Sequence, residues 1–245
     1  MKDYIITEFN KINCAISDRQ ADQFLRYFEL LTEWNAVMNL TAITEFKEVV
    51  EKHFIDSALL SEYIKENNPK SLIDIGTGAG FPGVPLKILF PEMKVTLLDS
   101  LNKRIRFLNT VIQELGLENI EAIHGRAEEY GIKEVYREQY DLCVSRAVAR
   151  LASLCEFCIP FVKKGGAFVA YKAVPCNVPL NVPLICAYSD SNDSILPIFA
   201  ITCGIVAIES VLMCGDDIFK SPANSIVIPP FLDLKAKPSS ASISA

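Results

Sequence analysis

The chain has 245 residues, half of them apolar, with 24 Lys and Arg against 30 Asp and Glu and a formal net charge of −6. That length can bury a substantial core, as one large α/β domain or a domain with an appendage. The acidic balance excludes a protein that coats nucleic acid indiscriminately, which needs a dominant basic surface, but leaves room for a local basic patch.

The opening MKDYIITEFNKI has no long apolar stretch, so no secretory signal or anchor is expected and the cytoplasm is the expected compartment. Eight cysteines without regular spacing fit reduced thiols. Cys155 and Cys158 form a C-x-x-C pair with no partner pair at zinc spacing, which predicts helix packing and no metal. From Ser17 to Val37, Ala21, Phe24, Leu25, Phe28, Leu31 and Trp34 recur at three- and four-residue steps, the pattern of an amphipathic helix capped by Ser17 or Asp18, with Trp34 in the core. A second helical stretch is expected from about Phe46 to Ile64, ended by Asn67-Asn68-Pro69. Residues 1–68 thus read as an N-terminal helical cap.

Residues 69–172 then alternate short β-branched runs with helical segments, the signature of βαβ units around a parallel sheet. The predicted strands are Ser71–Ile75, Lys94–Leu98, Ile120–His124, Asp141–Ser145 and Ala167–Tyr171, with helices over Pro82–Phe90, Lys103–Leu115, Ala127–Glu134 and Leu151–Phe161. Lys163-Lys164-Gly165-Gly166 reads as a turn into the fifth strand. From Ala173 the composition changes: three of the 24 basic residues, six of the 30 acidic ones and eight of the 13 prolines lie there. Residues 173–245 are therefore an atypical tail. Its run Ile195–Cys214 has the length of a membrane span, but Pro197, Gly204 and Glu209 interrupt it, and no membrane anchor is expected.

In a doubly wound sheet ligands bind at the carboxyl ends of the strands, so the loops there should carry the site. After the first strand comes Gly76-Thr77-Gly78-Ala79-Gly80, and Asp99 follows the second, placed for a ribose diol. Gly125-Arg126-Ala127-Glu128 follows the third and Ser145-Arg146-Ala147 the fourth. Two glycine patterns overlap in LIDIGTGAGFPG: Gly78, Gly80 and Gly83 fit a dinucleotide fingerprint, whereas Asp74, Gly76, Gly78 and Gly80 fit the acidic loop of an S-adenosylmethionine site. Asp74 favours the second, because a carboxylate suits an ammonium and sulfonium ligand and is a poor neighbour for pyrophosphate.

Trp34-Asn35-Ala36-Val37-Met38-Asn39-Leu40-Thr41, Lys52-His53-Phe54-Ile55-Asp56-Ser57, the glycine loop through Phe81-Pro82-Gly83, Asp99-Ser100-Leu101-Asn102-Lys103-Arg104, Gly125-Arg126-Ala127-Glu128-Glu129 and Ser145-Arg146-Ala147-Val148-Ala149 stand in one order. On them the chain resembles the RsmG (GidB) family of bacterial 16S rRNA guanine-N7 methyltransferases over about residues 20–172. The resemblance implies a Rossmann-like class I S-adenosylmethionine-dependent fold with an N-terminal helical cap. It implies cofactor contacts at Gly76, Phe81, Ala127, Glu128 and Arg146, with Asp99 on the ribose, and places Asn39, His53 and Asp56 near the substrate mouth. The expected partner is 16S rRNA in the small ribosomal subunit or its assembly intermediate, met by a monomer. Guanine N7 carries a lone pair and no proton, so no general base is needed, and Arg146 is expected to position the base edge or a phosphate. His53 could instead only pack or cap a helix. Lys103, Arg104 and Arg106 could meet RNA phosphate or form a solvated helix face. The family's closing strands and basic end do not match this tail, in which Ser225–Ile228 is only a vague counterpart of the last strand. This leaves the closing strand pair in question and an alternative open, a catalytically impaired S-adenosylmethionine-binding protein.

Overall fold

The structure, a computed structural model, describes residues 1–146, 151–173, 181–188 and 195–197. The expected tail strand at Ser225–Ile228 and most of the apolar run Ile195–Cys214 lie outside the described residues, as do Ala147, Val148 and Ala149.

Five helical pieces precede the sheet: α1 (Lys2–Lys11), α2 (Asp18–Met38), α3 (Phe46–Val49), α4 (Asp56–Ala58) and α5 (Ser61–Asn67). Ser17 caps α2 in a reciprocal box, its Oγ accepting from Gln20 N at 3.3 Å while Gln20 Oε1 accepts from Ser17 N at 2.9 Å. The stretch expected as one helix from Phe46 to Ile64 is broken by a π-helical turn over Val50–Ile55. Side chains compete there for backbone carbonyls: Ser57 Oγ donates to His53 O at 2.6 Å, and Tyr171 Oη donates to Ser57 O at 2.9 Å. Such back-bonding from residue i to i−4 bends helices.

Then come β1 (Ser71–Ile75), α6 (Gly83–Leu89), β2 (Lys94–Asp99), α7 (Asn102–Glu114), β3 (Ile120–His124), α8 (Ala127–Tyr130), β4 (Tyr140–Ser145), α9 (Leu151–Cys158) and β5 (Val162–Ala173). The order across the sheet is β3-β2-β1-β4-β5, all parallel. The chain reverses its direction of growth between β1 and β4, so the ligand crevice of such a sheet is expected at their carboxyl ends. Lys163-Lys164-Gly165-Gly166 lies inside β5, not before it: the register with β4 shifts between Tyr140 and Leu142, and Gly165 takes a φ of +77°.

The tail supplies two further strands, β6 (Asn181–Tyr188) and β7 (Ile195–Pro197), antiparallel to their neighbours. The strand pair left in question by the sequence is therefore present, and β6 pairs β5 from Ala167 opposite Ala187 to Ala173 opposite Asn181, so the fifth strand is not an open edge.

Both faces of the sheet are covered, as a parallel sheet requires. On one face Leu72, Val95, Leu97 and Val144 share a continuous core with Ile5 and Phe9 of α1, Phe24, Tyr27 and Leu31 of α2, Phe54, and Phe107 and Leu108 of α7. On the other, Ile73, Ile75, Cys143 and Phe168 pack with Leu154 and Cys158 of α9 and with Phe161. At the amino-terminal edge Asp141 Oδ2 ties β4 to β1 by accepting from Lys70 N, Ser71 N and Ser71 Oγ, and Lys163 closes on its other oxygen. Among the described residues no helix is long and apolar enough to cross a membrane.

Candidate active site

The carboxyl ends of β1, β2 and β3 surround a cavity of about 310 Å³ lined by Ile75, Gly76, Leu98, Asp99, Ser100 and Gly125–Glu128. Four of the residues singled out in the sequence, Gly76, Asp99, Ala127 and Glu128, are brought together here. Gly76 has a φ of +70°, and a Cβ built on it meets nothing within 4 Å, so its backbone is open to a ligand. Asp99, 2% exposed, is held by both flanking loops: Oδ2 accepts from Gly78 N at 2.9 Å and Oδ1 from Leu101 N at 2.9 Å. Arg104 also closes on Oδ2 at 3.1 Å, and Lys103 Nζ donates to Met38 O at 3.3 Å, so these two residues bind within the fold.

Asp74 lies fully buried beneath the loop. Its Oδ2 accepts from Thr77 Oγ1 at 2.7 Å and from Gly83 N, the first residue of α6, at 2.8 Å. Its Oδ1 has no hydrogen-bond partner among the described residues. Burial pushes the carboxyl up to about 7, against the opposing pull of the Thr77 and Gly83 bonds and the Arg146 charge. The other wall of the loop is braced by α2: Tyr27 Oη donates to Ala79 O at 2.5 Å, and a Cβ on Gly80 (φ +99°) would come within 2.6 Å of that same Oη.

Phe81, Arg146, His53 and Asp56 form a second cluster beside the cavity. Phe81 is buried with its ring against Tyr27 and Phe54. The His53 ring stacks on it at 4.5 Å, and the Arg146 guanidinium lies over it at 4.8 Å. Arg146 donates to Lys52 O at 3.3 Å and lies 3.2 Å from His53 Nδ1, with the charges of Asp56 and Asp74 nearby. Burial and the Arg146 charge push His53 down to about 4. Asp56 is 2% exposed and His53 9%, so both are buried. Asn39 is apart from both groups, as the exposed residue that ends α2 in a left-handed turn (φ +48°).

Tyr27 and Thr41, which bonds His53, were not singled out as site residues in the sequence. For Tyr27 a signal exists: a polar-tipped aromatic on the buried stripe of a helix needs a partner for its hydroxyl. A larger cavity, about 500 Å³, lies at the opposite edge of the strands. Three polar side chains on its walls are bonded internally, Gln20 to Ile88 O, Gln23 to Leu115 O and Lys87 to Pro91 O and Met93 O.

The model of the GidB family, rRNA small subunit methyltransferase G, matches residues 20–177. The chain belongs to that family. Relatives include the ribosomal RNA small subunit methyltransferase G of Lachnoclostridium phytofermentans, 57% identical over 168 residues, 69% of each chain. That of Alkaliphilus metalliredigens is 58% identical over 159 residues, 64% of this chain and 66% of the relative. The chain thus matches about two-thirds of the length of these relatives. Among solved structures, a protein-L-isoaspartate O-methyltransferase superposes with a TM-score of 0.52 at 18% identity, over 82% of this chain and 63% of that one, a likeness of fold.

The GidB family is one of S-adenosylmethionine-dependent methyltransferases, and the cavity fits that cofactor. Asp99 can accept from a diol once Arg104 yields, and Gly76 leaves backbone open. A dinucleotide fits poorly. Its pyrophosphate needs free N–H groups at the start of the helix after β1, and here Gly83 N is committed to the Asp74 carboxylate. The overlapping glycine pattern is thereby resolved: Gly83 opens α6.

Proposed function

We propose that the chain transfers a methyl group to N7 of a guanine in the 16S rRNA of the small ribosomal subunit. The observation that carries this reading is the pairing of the cavity at the ends of β1–β3 with a neighbouring arginine at the end of β4, in a chain of the rRNA small subunit methyltransferase G family. Bound S-adenosylmethionine supplies an electrophilic methyl carbon. Asp99 holds the ribose, the Gly76 backbone lines the amino-acid end, and Ala127 and Glu128 flank the adenine. Phe81 contributes through its backbone, its ring being buried.

Guanine N7 presents a lone pair, so no residue has to remove a proton, and the protein's part is orientation, which alone can accelerate such a transfer greatly. Arg146 supplies it: its guanidinium recognises the guanine O6 edge or a phosphate and leaves N7 open to the methyl carbon. His53 and Asp56 are buried beside the arginine. The acidic surface elsewhere limits binding to other RNA.

The end of the family match at residue 177 favours a second reading, a protein that binds the cofactor and does not methylate. Purified protein incubated with small subunits and methyl-labelled S-adenosylmethionine, followed by nucleoside mapping of the rRNA, separates the two. Label in 7-methylguanine is expected. Cofactor binding by calorimetry without label would establish the second reading instead.

A further inference from the structure

Two groups meet Nδ1 of His53 and ask for opposite tautomers, Arg146 Nη2 at 3.2 Å and Lys52 O at 3.0 Å. A guanidinium can only donate, so the Arg146 contact calls for a lone pair on Nδ1 and the proton on Nε2. Nε2 lies 3.0 Å from Thr41 Oγ1, which also accepts from Ile43 N at 3.1 Å; a hydroxyl oxygen has two lone pairs and can accept both. Lys52 O, 3.0 Å from Nδ1, would take a proton there, but it already accepts from Arg146 Nη1, and the charged guanidinium makes the stronger bond to Nδ1. The opposite tautomer, with Nδ1–H on Lys52 O and the Thr41 hydroxyl donating to Nε2, would set an N–H against the guanidinium. An imidazolium would do the same and add like charge.

We propose that His53 is a positioning residue: a neutral, Nε2-protonated imidazole, fixed by Thr41 and stacked on Phe81, that accepts from Arg146 and holds the guanidinium at the mouth of the site. This rests on the reading of Arg146 as the group that orients the RNA. The His53 ring is then a neutral acceptor, and the bond to it fixes the direction of the guanidinium. Among the described residues, two of the five guanidinium N–H groups are engaged, by His53 and Lys52. The charged groups that act on the ring, Arg146 from β4 and Lys52 from its own turn, both disfavour a second proton, as burial does. Asp56 and Asp74 counter the Arg146 charge.

The chain has two histidines, so long-range proton–nitrogen spectra of the full-length labelled protein resolve His53 from His124 once a His53→Asn sample is compared. The expected result is an unprotonated Nδ1 and a protonated Nε2 from pH 5 to 8. Arg146→Met should raise the protonation midpoint of His53. An Nδ1-protonated ring, or a midpoint indifferent to Arg146, would overturn the proposal.

Methylation kinetics give the second arm. His53→Leu should lower kcat about tenfold or more with little change in calorimetric cofactor affinity, and His53→Asn, whose amide oxygen replaces the Nδ1 acceptor, should recover most of that loss. Equal damage in both variants would reduce His53 to packing. A wild-type protein that leaves rRNA unmethylated would refute the functional reading, and the spectra would still decide the tautomer.

Discussion

Asp74 and His53 titrate in opposite senses across the same range. Asp74 holds its proton up to about 7 in the folded protein against 3.8 as its ordinary value, so the native state keeps a proton that the unfolded chain has released. Stability from this group is present at low pH and lost as pH rises through that interval. His53 falls from 6.5 to about 4, so the unfolded chain takes up a proton that the native state refuses, and stability rises with pH over that interval. Asp74→Asn keeps an acceptor for Gly83 N–H and removes the first slope. Its thermal midpoint relative to wild type should gain little at pH 4 and several degrees by pH 8, read in a pH series of thermal melts. Arg146→Ala should lower kcat/KM for small-subunit RNA by about ten- to a hundredfold, with cofactor affinity nearly kept; unchanged rRNA methylation at subsaturating substrate would remove it from the mechanism. Asp74 and Arg146 were legible as strand-end residues in a βαβ pattern. What they bind was not, because Gly83 N and His53 Nδ1 reach them only when loop and helices close.

At the level of elements, periodicity located β1 to β4, α6 and α7 nearly to the residue, because each strand is a short apolar run bounded by turn residues; it overran α8, expected to Glu134 and ended at Tyr130. It missed the break at Val50–Ile55, where tertiary bonds from Ser57 and Tyr171 override a helical pattern, and it misplaced the start of β5, where a glycine pair bends a strand instead of ending a turn. It also left unlocated the partner of Tyr27, the loop carbonyl through which α2 braces the glycine loop. Tyr27→Phe leaves the buried Ala79 carbonyl without its donor and should cost about 1–3 kcal/mol in chemical denaturation, together with a weaker cofactor affinity measured by calorimetry. A variant as stable and as tightly binding as wild type would mean that Gly80 and Val84 packing alone fixes the loop.

Across the whole molecule, the helices before residue 69 and one face of the sheet share a single core, and the far edge of that sheet is built from the tail. A chain ended after Ala173 would expose the hydrogen-bonding edge of β5, and unpaired edges recruit other chains. It should form higher oligomers in light scattering at concentrations where the full chain does not. The commitment of Gly83 N to Asp74 has a consequence for competition. A living cell is crowded with ATP, NAD and other polyphosphates, each of which shares adenosine with S-adenosylmethionine. The N–H that opens α6 is already bonded to Asp74 and is withheld from their phosphates, so millimolar ATP should fail to displace labelled S-adenosylmethionine in equilibrium dialysis. One internal hydrogen bond thereby screens the nucleotide pool.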